Sequence, residues 1–356
     1  MTEAHSAAPS DRRAYLLLAA VVVVWGCHWS VAKVGLETIP PFSYAMLRLL
    51  VAIAVLAALM RGAGQLQPPA RADLAIIISY GLLAIAVGIG VMNLALPWVE
   101  AGRASILAYT LPLWVIPIVA VVSRARPSRT ELSGLALGLT GLVLLLNPAA
   151  SDWSSPQVLL GCTLLLRGAV AGAGALVHVR AHRWQGTPFD VQIWQLLVAV
   201  VPMVVLAVLM ERDEWAAVDW DAATVLVILY SGALATAFAF WASQSIVRAI
   251  GPTTTSIAYL AVPVVGIVTG ALVLGELVGV LDLLGLVVTS AGIVVVLRAS
   301  RRDPEAMSSV GEKGGEAIEG SEADDGSRAA RSEGPPLLEV VLADGADLPA
   351  PGASPR

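Results

Sequence analysis

The sequence predicts an all-α polytopic membrane protein in which ten transmembrane helices form two inverted five-helix repeats. Three observations predict it. Hydrophobic residues make up 57% of the 356 and charged residues only 14%, with a mean hydropathy of +0.78, outside the profile of an ordinary soluble domain. Ser105 to Leu146 recurs without a gap as Ser256 to Leu297, 151 residues on, so that Ser105 falls on Ser256, Pro112 on Pro263, Gly134 on Gly285 and Gly141 on Gly292. Leu, Val and Ala match often by chance between apolar segments, but Ser, Pro and Gly in one register do not. Basic residues, finally, collect on alternate connections.

A bilayer core about 30 Å thick needs about 20 mostly apolar residues at 1.5 Å rise each. By that measure the spans run Tyr15 to Lys33, Phe42 to Met60, Leu74 to Trp98, Ala104 to Ser123, Leu132 to Asn147, Gln157 to His178, Val191 to Met210, Ala222 to Ser243, Thr254 to Leu274 and Val280 to Leu297. The first span has Arg12 and Arg13 before it, and Val24-Trp25-Gly26-Cys27 has the outline of a lipoprotein cleavage site. Trp fits such a site poorly and the apolar run continues through it, so the span is read as uncleaved. Cys27 and Cys162 sit inside apolar runs, where a thiol behaves as a small hydrophobe, and no disulfide is expected.

Arg61 and Arg71, then Arg124, Arg126 and Arg129, then Arg180 and Arg183, Arg248, and Arg298, Arg301 and Arg302 all fall on one side, which is thereby the cytoplasm. The opposite connections carry Asp152 and the Glu211, Asp213, Glu214, Asp219 and Asp221 cluster. Both termini are therefore expected in the cytoplasm. An odd number of spans per half turns the halves upside down relative to each other. Charge agrees independently: the connection Arg124 to Arg129 holds three arginines, and its counterpart Gly275 to Val280 holds none and carries Glu276. The expected divisions are a cytoplasmic tail over 1–13, a first repeat over 14–147, a second over 148–302 and a disordered acidic cytoplasmic tail over 303–356. That last segment holds 12 acidic and 4 basic residues, so the acidic pI of 5.4 belongs to it and the membrane body is slightly basic. Its one apolar patch, Pro335 to Ala343, reads as incidental.

Several short patterns stand in a fixed order: Trp25-Gly26, Lys33, Pro40-Pro41 and Arg48; Ala101-Gly102-Arg103-Ala104-Ser105 leading to Pro112; and Tyr259-Leu260-Ala261-Val262-Pro263 leading to Leu274-Gly275-Glu276 and Gly285. In these residues the chain resembles the drug/metabolite transporter superfamily, specifically its EamA-type ten-span members, over nearly everything from Tyr15 to Arg298. The resemblance implies a secondary transporter of the bacterial inner membrane, commonly an exporter of amino acids or other small metabolites, with a central cavity lined by both halves. Two departures stand out. Ala125 occupies the place of a first-half partner for Glu276, and Arg167 stands in the sixth span where similar proteins place an aromatic or small residue.

Arg167 lies roughly ten residues from either end of its span, where a charge costs at least about 2.5–3.5 kcal/mol and must face a cavity or a partner. No span holds an acid near the midplane, so Arg167 is read as binding a substrate carboxylate or other anion; pairing with backbone carbonyls and water is the alternative. Pairing Gly26 with Gly168 sets Trp25 at a position related to Arg167, where its face would cradle an ammonium group; a packed interface Trp is the plain reading. His28 is read as a proton shuttle or as a hydrogen-bonded interhelical histidine. Asn93 and Gln244 fall in the 151-residue register, about 12 Å from the centre at 1.5 Å per residue, and suit alternating gates or helix packing. Lys33 and Arg48 read as snorkelling to the headgroups or joining an outer gate with Glu100, Arg103 and Glu276. Pro112 and Pro263 predict kinks at matching places.

Other chemistries are not indicated. The four histidines His5, His28, His178 and His182 are spread over different depths, and no nearby Cys or acid completes a metal site around the pair His178 and His182. No nucleophile and base pair, phosphate loop or catalytic carboxylate pair appears, so no enzyme and no cofactor is expected. The scattered arginines form no nucleic-acid patch. The expected partners are a small-molecule substrate and the lipid bilayer, with coupling to protons or a counter-substrate and the oligomeric state left open. The favoured reading is export of a small amino-acid-like or anionic metabolite by alternating access. The alternatives are a multidrug or cation efflux carrier, and a non-transporting scaffold or sensor acting through the acidic tail.

Overall fold

A computed structural model describes residues 9–123, 127–146, 155–182, 188–250 and 252–299. The expected tail from Asp303, the position Ala125 and the side chain of Gln244 lie outside the described residues. Apolar runs without water must satisfy their backbone groups internally, and each predicted span is accordingly helical. Nine helices among the described residues are long and apolar enough to cross a bilayer: α1 (Arg12–Gly35), α2 (Pro41–Gly62), α3 (Arg71–Ala95), α4 (Ala101–Val122), α6 (Pro156–Val179), α7 (Asp190–Ala217), α8 (Ala222–Ile250), α9 (Thr254–Leu274) and α10 (Val280–Ala299). The tenth expected span is the 18-residue helix α5 (Arg129–Leu146).

Local chemistry sets the ends. Pro41 and Pro156 stand in the first turns of α2 and α6, where a missing N–H costs nothing. Ser128 and Glu131 form a reciprocal capping box before α5, and Asp221 accepts from the Thr224 N–H at 2.7 Å to cap α8. Gly275, at φ +67°, ends α9 in the left-handed region that glycine alone enters without strain.

The halves meet most closely where α5 crosses α10. A Cβ added at Gly134 would lie 3.0 Å from the Gly292 carbonyl oxygen, and one added at Gly285 would lie 3.0 Å from that of Gly141. Gly292 likewise sits on the backbone of Gly138. Backbone touches backbone, as small residues permit. Gly134 facing Gly292 while Gly141 faces Gly285 makes the two related helices antiparallel, as inverted halves require. The other contacts obey the same two-fold relation: α1 packs on α8 and α9 as α6 packs on α3 and α4, and α2 packs on α7. Gly232 seats on Val51 and the Arg48 carbonyl; its counterpart Gly81 seats on Val198 and the Gln195 carbonyl. The offset between α2 and α7 is therefore 147, which also aligns Pro41-Phe42 with Pro188-Phe189. Carried into α1 and α6, that offset would set Trp25 opposite Gly172 and not Gly26 opposite Gly168.

Two matched interruptions differ from expectation. Pro112 and Pro263 do not kink continuous helices; they restart broken ones. The backbone runs helical over Ala101–Ala108 and again from Leu111, and over Pro252–Ala258 and again from Ala261. Each proline ring would press on the carbonyl four residues back, at Ala108 or Tyr259, so the chain changes to tighter bonds such as Thr110 N–H to Leu107 O and Leu260 N–H to Ile257 O. In α3 and α8 the ladder instead widens to i→i+5 bonds over Tyr80–Val87 and Tyr230–Phe238, whose last residues are 151 apart.

Candidate functional site

Three polar clusters lie on this scaffold. At the end of α1, the Lys33 ammonium donates to Glu276 at 2.8 Å and to the Val99 carbonyl at 2.9 Å. The Glu276 carboxylate also accepts from the Ala101 N–H at 2.7 Å and the Gly102 N–H at 3.4 Å, capping the start of α4. Beside it Arg103 reaches Glu100 at 3.2 Å and Asp282 at 3.3 Å. Burial raises the Glu100 carboxyl above its ordinary range; Arg103 opposes this and the charges of Asp282 and Glu276 add to it. One network thus ties α1, α4, α9 and α10 together. Lys33 is engaged here rather than snorkelling.

The second cluster is buried. Arg48 lies seven residues into α2, about 10 Å at 1.5 Å per residue, and is only 6% exposed. It does not snorkel: its Nε donates to Thr236 Oγ1 at 2.8 Å, deeper along α8 than the hydroxyl of Ser231 that Tyr44 engages. Tyr44 and Arg48 are one helical turn apart on α2, and they meet Ser231 and Thr236, which the widened turn of α8 brings into line. Thr236 Oγ1 itself donates to the Ser231 carbonyl at 2.7 Å. Ser231 Oγ also lies 3.5 Å from His28 Nδ1, and the His28 ring, 4% exposed, stacks on Tyr230. Arg48 Nη1 and His28 Nε2 are buried without a hydrogen-bond partner among the described residues.

At the opposite end Asp73 meets His182 at 2.7 Å and Ser79 meets His178 at 2.7 Å, joining α3 to the end of α6. An acid does approach this histidine pair, Asp73, which a separation of 109 residues from His182 hid from the sequence reading. No group of three metal-ligating side chains forms among the described residues.

The remaining candidates are dispersed. Arg167 is exposed and makes no hydrogen bond or ion pair among the described residues. Trp25 donates to the Ala235 carbonyl at 2.9 Å and packs edge-on against Phe240 and Tyr259, contacts with α8 and α9 that do not include Arg167. Asn93 is fully buried and donates to the Pro41 carbonyl at 3.0 Å, fastening α3 to the start of α2. Sequence reasoning missed Glu211, whose carboxylate accepts from the N–H groups of Phe42 and Ser43 and from the Ser43 hydroxyl, linking α7 to α2. It also missed Tyr44, although the spacing of Tyr44 and Arg48 was a legible signal.

The EamA-like transporter family matches this chain twice, over residues 12–147 and 159–298. The chain belongs to the EamA-like transporter family. An "Uncharacterized transporter YoaV" of Bacillus subtilis is 26% identical over 280 residues, covering 77% of this chain and 92% of that protein. A "Probable amino-acid metabolite efflux pump" of Salmonella typhimurium is 26% identical over 293 residues, covering 80% and 95%. A crystal structure with a TM-score of 0.58 and 19% identity covers 82% of this chain and 98% of its own, a likeness of fold. This EamA-like chain is thus an integral membrane protein and a transporter, a role distinct from that of an enzyme, and its two matched blocks are the two halves joined at the glycine seam.

Proposed function

We propose that the chain is a secondary transporter that exports a small amino-acid-like or anionic metabolite by alternating access, its inverted halves rocking about a site within the membrane. The observation that carries this reading is the matched pair of helix interruptions: broken helices before Pro112 and Pro263, and widened turns in α3 and α8. Discontinuous helices at related places in inverted halves give a transporter its binding site and its moving parts. The direction is taken from the named efflux relative, and the cytoplasmic placement of both termini from the arginine asymmetry. The Lys33, Glu276, Arg103 and Asp282 network serves as a closure at the outer end, and Asp73 with His182 as one at the cytoplasmic end. A cation carrier is disfavoured by Arg48, a positive charge buried within the membrane body that repels a positive substrate.

The test is counterflow in proteoliposomes holding the purified chain, loaded with amino acids or organic acids. Exchange of a labelled amino acid or organic acid is expected. Exchange of organic cations alone, or of nothing offered, defeats the reading.

A further inference from the structure

We propose that Arg48, with Thr236 and the Tyr44, Ser231 and His28 group beside it, is the subsite that takes the carboxylate of the transported molecule; the proposal rests on the transport reading above. Arg48 is almost wholly buried, and no carboxylate of the described chain bonds to it. Buried polar atoms are nearly always hydrogen-bonded, and a charge inside a membrane is the hardest group to leave alone. Yet Arg48 Nη1 and His28 Nε2 both lack a partner, in one cluster. Two orphaned atoms on residues linked through Thr236 and Ser231 outline a missing third party.

Its chemistry follows from what it must complete. A guanidinium has only donors, so the partner accepts; its charge is positive, so the partner is anionic; its N–H groups form a planar fork, which matches a planar pair of oxygens. One guanidinium balances the single charge of a carboxylate, whereas a phosphate carrying about −1.5 to −2 would stay undercompensated. Thr236 fixes the fork by holding Nε, and the Tyr44 and Ser231 hydroxyls supply further polar contact.

The two-fold relation shows that this helix contact can close without a charge. The offset of 147 sets Gln195 in the place of Arg48, and the offset of 151 sets Tyr80 and Ile85 in the places of Ser231 and Thr236. The same helix contact closes in the other half without any charge. A buried charge carried by one half alone, with a donor left unfilled, is what a ligand subsite placed off the two-fold relation requires.

The test uses the full-length chain in proteoliposomes, exchanging a radiolabelled mixture of L-amino acids against unlabelled competitors. Free amino acids are expected to compete at least about tenfold better than their amides, which keep the side chain and ammonium but lose the carboxylate. Arg48→Gln is expected to abolish that preference, Arg48→Lys to restore part of it through charge alone, and Thr236→Val to weaken the acids more than the amides. Melting temperature and gel-filtration profile in detergent show that each variant folds; should Arg48→Gln not, the Lys variant and the acid-to-amide comparison on the unmutated chain still decide. Equal competition by acids and amides, a preference that survives Arg48→Gln, or phosphoserine outcompeting serine overturns the subsite and leaves the carrier standing. Absence of exchange for every labelled amino acid overturns the subsite as an amino-acid site, and absence for the organic acids of the counterflow test as well overturns the transport reading.

Discussion

Replacing Lys33 by Met and Glu276 by Gln, singly and together, isolates the ion pair that fastens α1 to α4 and α9. The side chains are 21% and 11% exposed, between two regimes. Exposed pairs contribute about 0.2–1 kcal/mol, and removing one partner of a fully buried pair costs about 3–5 kcal/mol. Each partner here keeps a second bond when the other is lost, Lys33 to the Val99 carbonyl and Glu276 to the Ala101 N–H, which leaves neither charge bare. The coupling energy is therefore expected near the lower regime, about 1–2 kcal/mol, or a factor of about 5–30 in an equilibrium. Unfolding of the purified protein in one detergent, measured for all four members of the cycle, gives it directly. Both single variants are expected to be less stable than the parent, and the double variant to lose less than their sum. A coupling below about 0.3 kcal/mol, the limit of additivity for independent sites, refutes the claim that this pair holds the helices together.

Gly292→Leu drives a side chain into the backbone of Gly138, which has no rotamer with which to yield, so the loss is expected to reach or exceed the about 1–3 kcal/mol of ordinary overpacking. Gly174→Leu in α6, where a Cβ meets nothing within 4 Å, is the control and is expected to leave the melting temperature nearly unchanged. Glu100 carries a carboxyl whose folded pKa is raised, so its ionised form disfavours folding near neutrality and that penalty fades as pH falls through the raised pKa. Glu100→Gln is thus expected to match or exceed the parent's melting temperature at pH 7, with the difference closing on acidification; a gap that widens in acid contradicts the sign. Pro112→Ala and Pro263→Ala return an N–H to a broken ladder and are expected to slow counterflow while the folded protein is recovered at an unchanged or higher melting temperature. Unaltered rates in both variants remove the interruptions from the transport cycle.

The scaffold was legible because its key residues are glycine and proline, which carry backbone meaning even inside apolar runs. Gly134, Gly141, Gly285 and Gly292 marked the repeat register, and the closest contact falls on these same residues; Pro112 and Pro263 marked where the helices are interrupted. What proline did to the helix was not legible, since a kink and a break share one signal. The widened turns of α3 and α8 were hidden for another reason: an extra residue per turn leaves little trace in segments where apolar residues occupy most positions and no polar periodicity marks a face. Arg48 was misjudged by position. A cation one third of the way along a span reads as reaching for the nearer surface, and only the hydroxyls contributed by α8 show why it turns inward. Arg167 stands exposed on α6 without a partner among the described residues, and depth alone did not say which side of the helix it occupies.

The seam of α5 and α10 has one more implication. Its two faces carry a matching pair of glycines in opposite order, so it approaches self-complementarity in the way of a contact between two copies of one subunit. Register there is set by shape and not by the connection between Leu146 and Pro156. Cutting that connection and producing the halves as separate chains is therefore a fair trial of the architecture, with reassembly across the seam as its outcome.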